Sequence, residues 1–424
     1  GLVYQQILVE LPSLPPELVA LLPYYTNALT ELGVGEKGYL ATQDWQAKVC
    51  GAINAFTTIR GAVNDEQNIK GYLVLSAKAL VRNQQQQSEL MQKTLLSVRF
   101  DELPRLRELV GQQRARREQS VTNNGHSLAM SAASSGMSPV AYLSHSLSGL
   151  GGIQAAKALD DSLQTEQGLN KYAEKLQRLH QLVLKSSKQV LLVAEEDKLV
   201  DCQQSIASLW NDSENTENLG HFSPDPIRQT RKQLWVANTQ VNFCAKAYPT
   251  VPVEHTDAAP LTVLGGFLRN GYLHRAIREQ GGAYGGGASH DASIAAFRFY
   301  SYRDPRLEET IDDFDRSIDW LLETDHGEEP LEQAILGVIS GLDKPVSPAG
   351  EAKQEFHNSL FGRTHQQRRE FREQILKVSM DDLKRVTEIY LKPEFASMAV
   401  ITSSAKYEKL ADFVSTNELE VNIL

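Results

Sequence analysis

The amino-acid sequence predicts an α+β protein of two homologous domains, each a mostly antiparallel sheet with helices packed on one face. Three observations carry this. At 424 residues the chain exceeds the roughly 100–200 residues of one domain and can hold more than one core. Two stretches of roughly 200 residues repeat one order of hydrophobic patterns with little identity between them. Strands fall in clusters and do not alternate strictly with helices, which argues against a doubly wound parallel sheet.

Each half opens with an alternating strand, Tyr4–Glu10 in the first and Gln233–Ala245 in the second. Prolines then introduce an amphipathic helix, Pro15/Pro16–Leu32 and Pro260–Glu279 respectively. Glycine-marked strands follow: Gly51–Val63 and Tyr72–Ala77 correspond to Gly285–Ser289 and Ile294–Tyr302. A covering helix comes next, Gln85–Val98 or Leu307–Glu323, and an acidic, proline-marked turn opens another, Arg105–Ser120 or Leu331–Leu342. Both halves close helix–strand–helix: Leu169–Ser186, Gln189–Ala194 and Leu199–Leu209, then Met380–Leu391, Ser397–Thr402 and Ala405–Val414. The Ser-, Asn- and Asp-rich stretch between reads as a connector. The expected division is a first domain over 1–211, a linker over 212–230 and a second domain over 231–424. Asp304, Pro305 and the glutamates after them predict a helix N-terminus with Asp304 as the cap.

Composition narrows the function. With 41% hydrophobic and 23% charged residues, the chain reads as an ordinary globular protein. Its 53 acidic and 43 basic side chains leave a formal charge of −10, which disfavours nucleic acid as a partner. No apolar run reaches the ~18 residues of a membrane span, so no membrane partner is expected. Cys50, Cys202 and Cys244 are odd in number and far apart. They suggest neither a disulfide framework nor a thiolate zinc site, and a reducing, soluble compartment, cytoplasm or organelle matrix, is expected. The chain opens with Gly1, as a processed or truncated product would.

None of the ten histidines lies in HExxH or HxxEH, the spacings that place two imidazoles and a carboxylate on one helix face. His357 and His365 are eight apart, a weak pattern. No catalytic zinc, and no other cofactor, is expected on this chain. There is no GxSxG elbow and no thiol-protease signature. The run Arg114–Arg117 reads as a solvated helix face, with an acidic partner as the alternative.

The most unusual feature is Gly281-Gly282-Ala283-Tyr284-Gly285-Gly286-Gly287. It ends a helix and leads into strands, the reverse of a nucleotide-binding glycine loop, and no lysine follows. Two readings remain. Glycines stop the helix and let strands cross closely, or they let an extended peptide approach the backbone. Arg278 precedes Tyr284 by six residues, so a guanidinium and a phenol can converge at the turn. A surface arginine beside a core tyrosine is the other possibility.

Arg278-Glu279-Gln280-Gly281-Gly282-Ala283-Tyr284-Gly285, with Phe299-Tyr300-Ser301-Tyr302-Arg303-Asp304-Pro305 downstream, closely resembles the fourth domain of the presequence protease branch of the pitrilysin/insulinase family of inverted zinc metallopeptidases. Leu29–Gly33, Arg114 to Gly125-His126, and Thr239–Asn242 extend the likeness over nearly the whole chain. The resemblance implies the metalloenzyme LuxS/peptidase-like fold and a clam-shell endopeptidase of two homologous halves that closes around an unfolded peptide. Zinc would reside in an amino-terminal half of the same polypeptide, and this chain would correspond to the carboxy-terminal half. The resemblance assigns Arg278 and Tyr284 to the transition state of peptide hydrolysis, contacting the substrate near the zinc. It places the substrate backbone against Gly281, Gly282, Ala283 and Gly285. The alternative is a permanently non-catalytic scaffold or peptide-binding subunit of the same superfamily.

Overall fold

Ten strands form two sheets, one from each half of the chain, in a computed structural model that describes residues 1–210 and 219–424. β1 (Leu2–Glu10), β2 (Ile53–Gly61), β3 (Ile69–Leu80) and β4 (Lys188–Val193) pair antiparallel throughout, in the order β2-β3-β1-β4. The second sheet is built from β5 (Lys232–Val236), β6 (Phe243–Pro249), β7 (Gly285–Asp291), β8 (Ala296–Tyr302), β9 (Ser397–Thr402) and β10 (Glu420–Ile423). Its order is β10-β5-β9-β6-β8-β7. It is mixed: β5 runs parallel to both β9 and β10, and the other pairings are antiparallel. The architecture is α+β.

Period-two alternation decides what each face buries. In the first sheet Ile7 and Val9, with Leu73, Leu75 and Ala77, face a core closed by helices Leu22–Glu31, Gln84–Leu96 and Glu166–Leu184. In the second, Leu234, Cys244, Tyr248, Phe297, Phe299 and Val400 face helices Ala258–Leu268, Glu308–Glu323 and Met380–Tyr390.

The opposite faces are covered by exchange between the halves. Helix Leu103–Ser134 starts in the first core through Leu106, Leu109 and Val110. It then crosses the second sheet, burying Val121, Leu128, Ala129, Ala132 and Ala133 against Trp235, Phe243, Ala245, Ala247, Ala399 and Ile401. In return, helix Pro348–Leu360 and Phe361 lie over the first sheet, where Phe361 meets Leu8, Tyr72 and Val74.

Several elements differ from the expectation. The strand predicted over 233–245 is two strands, β5 and β6, on opposite sides of β9. Thr239 breaks it, its hydroxyl bonding both the carbonyl and the amide of Val241. The helix predicted over 105–120 continues to Ser134, with non-helical angles at Asn124; burial on the second sheet overrides the weak helix propensity of Asn124-Gly125. A Cβ on Gly125 would sit 2.5 Å from the Phe243 ring, so only glycine lets the helix cross there. The proline helix breaks into Pro16–Val19 and Leu22–Glu31, because Pro23 cannot donate the bond that would continue the first piece. Asp304 is not an N-cap. It is fully buried and accepts hydrogen bonds from the Arg306 amide (3.0 Å) and the Thr310 hydroxyl (2.8 Å), and the helix begins at Glu308. Burial raises its carboxyl pKa.

Of the expected linker, residues 212–218 lie outside the described residues. The remainder packs on the first half: Phe222 is buried in the first core, and the Ile227 amide donates to Gln67 Oε1 at 2.9 Å.

Candidate functional site

The glycine turn is built from below. Helix Ala258–Leu268 continues as a π-helix over Arg269–Gln280, a rare winding that often marks functional sites. Gly282, at φ +78°, reverses the chain; its amide donates to the Arg278 carbonyl and that of Ala283 to the Ile277 carbonyl. A Cβ on Gly281 would lie 2.0 Å from an Arg306 nitrogen. That guanidinium packs over the glycine while donating to the Ala276 carbonyl (3.2 Å) and to Asp313 (2.9 Å), pinning the helix end to helix Glu308–Glu323. Gly281 and Ala283, expected against substrate backbone, are both buried. They shape the turn from beneath, Gly281 under the Arg306 guanidinium and Ala283 at 4% exposure. Gly282 is exposed, and Gly285 has open space where a Cβ would point.

Arg278 and Tyr284 converge above this base. Tyr284 is 67% exposed, so it is no core tyrosine. Its ring lies 5.9 Å from the Arg278 guanidinium carbon, within cation–π range, and meets Tyr302 edge-on at 5.5 Å. Arg278 is exposed and has no carboxylate partner among the described residues. The pair therefore offers solvent an unpaired cation and a phenolic donor at the start of β7, which is the edge strand of its sheet.

Tyr302, Arg303 and His126 complete the surroundings, and residue-type reasoning assigns them no role. Tyr302 contacts His126 of the long helix at 4.6 Å between ring centroids. Arg303 lies over the Tyr302 ring at 5.6 Å and holds φ +51°, rare for a side chain with a Cβ. His126 Nδ1 is buried with no hydrogen-bond partner among the described residues, and burial lowers the pKa of its imidazole. Asn124-Gly125 is the one legible signal here, since such a dipeptide inside a helical pattern marks a break. Only the fold shows that the break delivers a histidine from the first half to the turn of the second.

Among the described residues, no three His, Cys, Asp or Glu side chains converge where one ion could sit. These side chains, as placed, do not fit a catalytic zinc.

The molecule is a duplicated α+β architecture with an exposed Arg–Tyr pair at a glycine turn, and comparison with known proteins gives its class. The model for the domain associated with subfamily C of the M16 peptidases matches residues 1–159, and the one described as "PreP C-terminal domain" matches residues 232–406. The mitochondrial presequence protease of Yarrowia lipolytica is 30% identical over 95% of this chain and 40% of its own length. The chloroplastic/mitochondrial presequence protease 1 of Arabidopsis thaliana is 25% identical over 99% of this chain and 39% of its own. Among solved structures, a conserved protein from Enterococcus faecalis superposes with a TM-score of 0.69 at 12% identity, covering 95% of this chain and 94% of that one. A peptidase M16 inactive domain from Pseudomonas fluorescens reaches 0.63 at 15% identity, covering 95% and 93%. The chain belongs to the presequence protease branch of the M16 peptidases and carries its carboxy-terminal region. It spans about 40% of the length of the curated relatives it matches.

Proposed function

We propose that this chain is the non-metal half of a zinc endopeptidase that degrades unfolded peptides, and that it walls the chamber and contributes Arg278 and Tyr284 to the reaction. The observation that carries this reading is the exposed, unpaired Arg278 guanidinium within cation–π distance of the exposed Tyr284 ring. A carbonyl that becomes an oxyanion gains most from a cation and a phenol already in place in a site that excludes water. Gly285 leaves open space for a peptide backbone beside it, next to the exposed Gly282. Zinc, supplied by the amino-terminal half, would activate water. The compartments in the relatives' names support an organelle matrix as the location.

In the intact enzyme, Tyr284→Phe is expected to lower kcat by about 100-fold, the scale of losing one oxyanion donor, with KM changed less than about twofold. An unchanged kcat with a raised KM would make Tyr284 a binding residue only. The isolated chain is expected to show no peptidase activity and no stoichiometric zinc; one tightly held zinc per chain by elemental analysis would falsify the division of labour.

A further inference from the structure

Where helix Pro348–Leu360 runs onto the first sheet, cations gather with no ion-pair partner among the described residues. Arg60, on β2, places its guanidinium carbon 5.1 Å from the Phe361 ring centroid. Arg363, two residues beyond that ring, has a buried Nε with no hydrogen-bond partner among the described residues. Lys353 sits over the Tyr4 ring at 4.6 Å, and His357 bonds Gln6 Oε1 at 2.8 Å. Both arginines are half-buried, and neither has a carboxylate partner among the described residues. Burial, then the Arg60 charge, pulls the Arg363 pKa down. The carboxylate that opposes this is Asp291, whose oxygens are already committed to Arg298 (3.0 Å) and Ser293 (2.5 Å).

Two neighbouring half-buried guanidiniums with no ion-pair partner among the described residues are costly, and their flat forks suit a carboxylate. Their position suggests where it comes from. Asp291 is the last residue of β7, and Gly285, beside Tyr284, is the first. Six rises of about 3.4 Å separate these ends, roughly 20 Å. A peptide extended along β7 from the Arg278–Tyr284 turn would bring a group some six residues further on to Arg60 and Arg363.

We propose that Arg60 and Arg363 bind the terminal carboxylate of an extended peptide whose backbone passes Tyr284, an assignment that rests on the peptide-binding reading of that turn. The probe is a fluorescent, unstructured 12-residue peptide, as free acid and as C-terminal amide, titrated into this chain by anisotropy. The acid is expected to bind about tenfold tighter than the amide, the scale of losing hydrogen bonds to a charged group. Arg363→Gln and, separately, Arg60→Gln should remove that gap and leave amide binding unchanged, with thermal melts confirming that each variant folds. Equal affinity of acid and amide for the unaltered chain overturns the proposal. A preference for acid that survives both substitutions overturns the assignment to these arginines and leaves Arg278 and Tyr284 untouched. Absence of binding by either peptide overturns both readings together.

Discussion

Of the two exchanged covers, the long helix presses alanines and one glycine flat onto the second sheet, and Phe243, Ala245, Ala247, Ala399 and Ile401 beneath it have no exposed surface. Helix Pro348–Leu360 touches the first sheet mainly through Phe361 and the partly buried Phe356 and Leu360, and the rest of its contact is polar or cationic. The first contact is a third core shared by both halves. The second is a thin clamp that leaves charged groups half-solvated, where a ligand can reach them. Small residues allow the close approach of the one, and long cationic side chains hold the other open.

The most severe test of this contrast is Phe243→Ala. Emptying a fully buried aromatic site under the long helix is expected to cost about 3–5 kcal/mol, read by chemical denaturation, with both halves destabilised together. Separate transitions for the two halves in the unaltered protein would break the idea of a shared core.

Acid sharpens it next. Burial holds His145, which meets Trp235 edge-on at the junction, His180 in the first core and His290 on β7 each at about 4. An unfolded histidine titrates near 6.5. Between those values the unfolded chain binds protons that the folded chain refuses, so stability is complete above about pH 6.5 and falls as pH drops toward 4. Each site contributes on the order of 3 kcal/mol. Denaturation midpoints that stay level from pH 7 to 4.5 would contradict these buried, neutral imidazoles. Tyr25 and His180 Nδ1 lie 2.9 Å apart, and His290 lies between the hydroxyls of Thr250 and Thr262. Those hydroxyls can accept from an imidazole as well as donate to it, so burial is what opposes protonation at both places.

The smallest effect belongs to the clamp. Phe361→Ala should cost about 2 kcal/mol, below the usual range for a buried phenylalanine because solvent and neighbouring side chains can fill the space. A loss equal to that of Phe243→Ala would erase the distinction between the covers.

Much of the fold is legible locally. Strand Ser397–Thr402 can be read to the residue, and β1, β3, β4 and β7 within a few positions, because alternation and bounding glycines are local signals. The glycine turn is legible too, since no other residue type supports so abrupt a passage from helix to strand. The split of β5 from β6 is hidden: apolar residues continue across it, and one threonine hydroxyl makes the break. The burial of Gly281 and Ala283 is equally hidden, because it depends on Arg306 arriving from about twenty-five residues away.

Sequence alone determined the repeated α+β plan and the family, and it set Arg278 and Tyr284 at one turn, in short-range order that one strand or turn can express. Tertiary structure alone decided that Tyr284 stands exposed beside Arg278, that the halves cover each other's sheets, that His126 reaches Tyr302, and that Arg60 meets the Phe361 ring across roughly three hundred positions of chain. Those meetings follow from which apolar faces must leave water together, and periodicity along a chain reports that a face exists without reporting what will cover it.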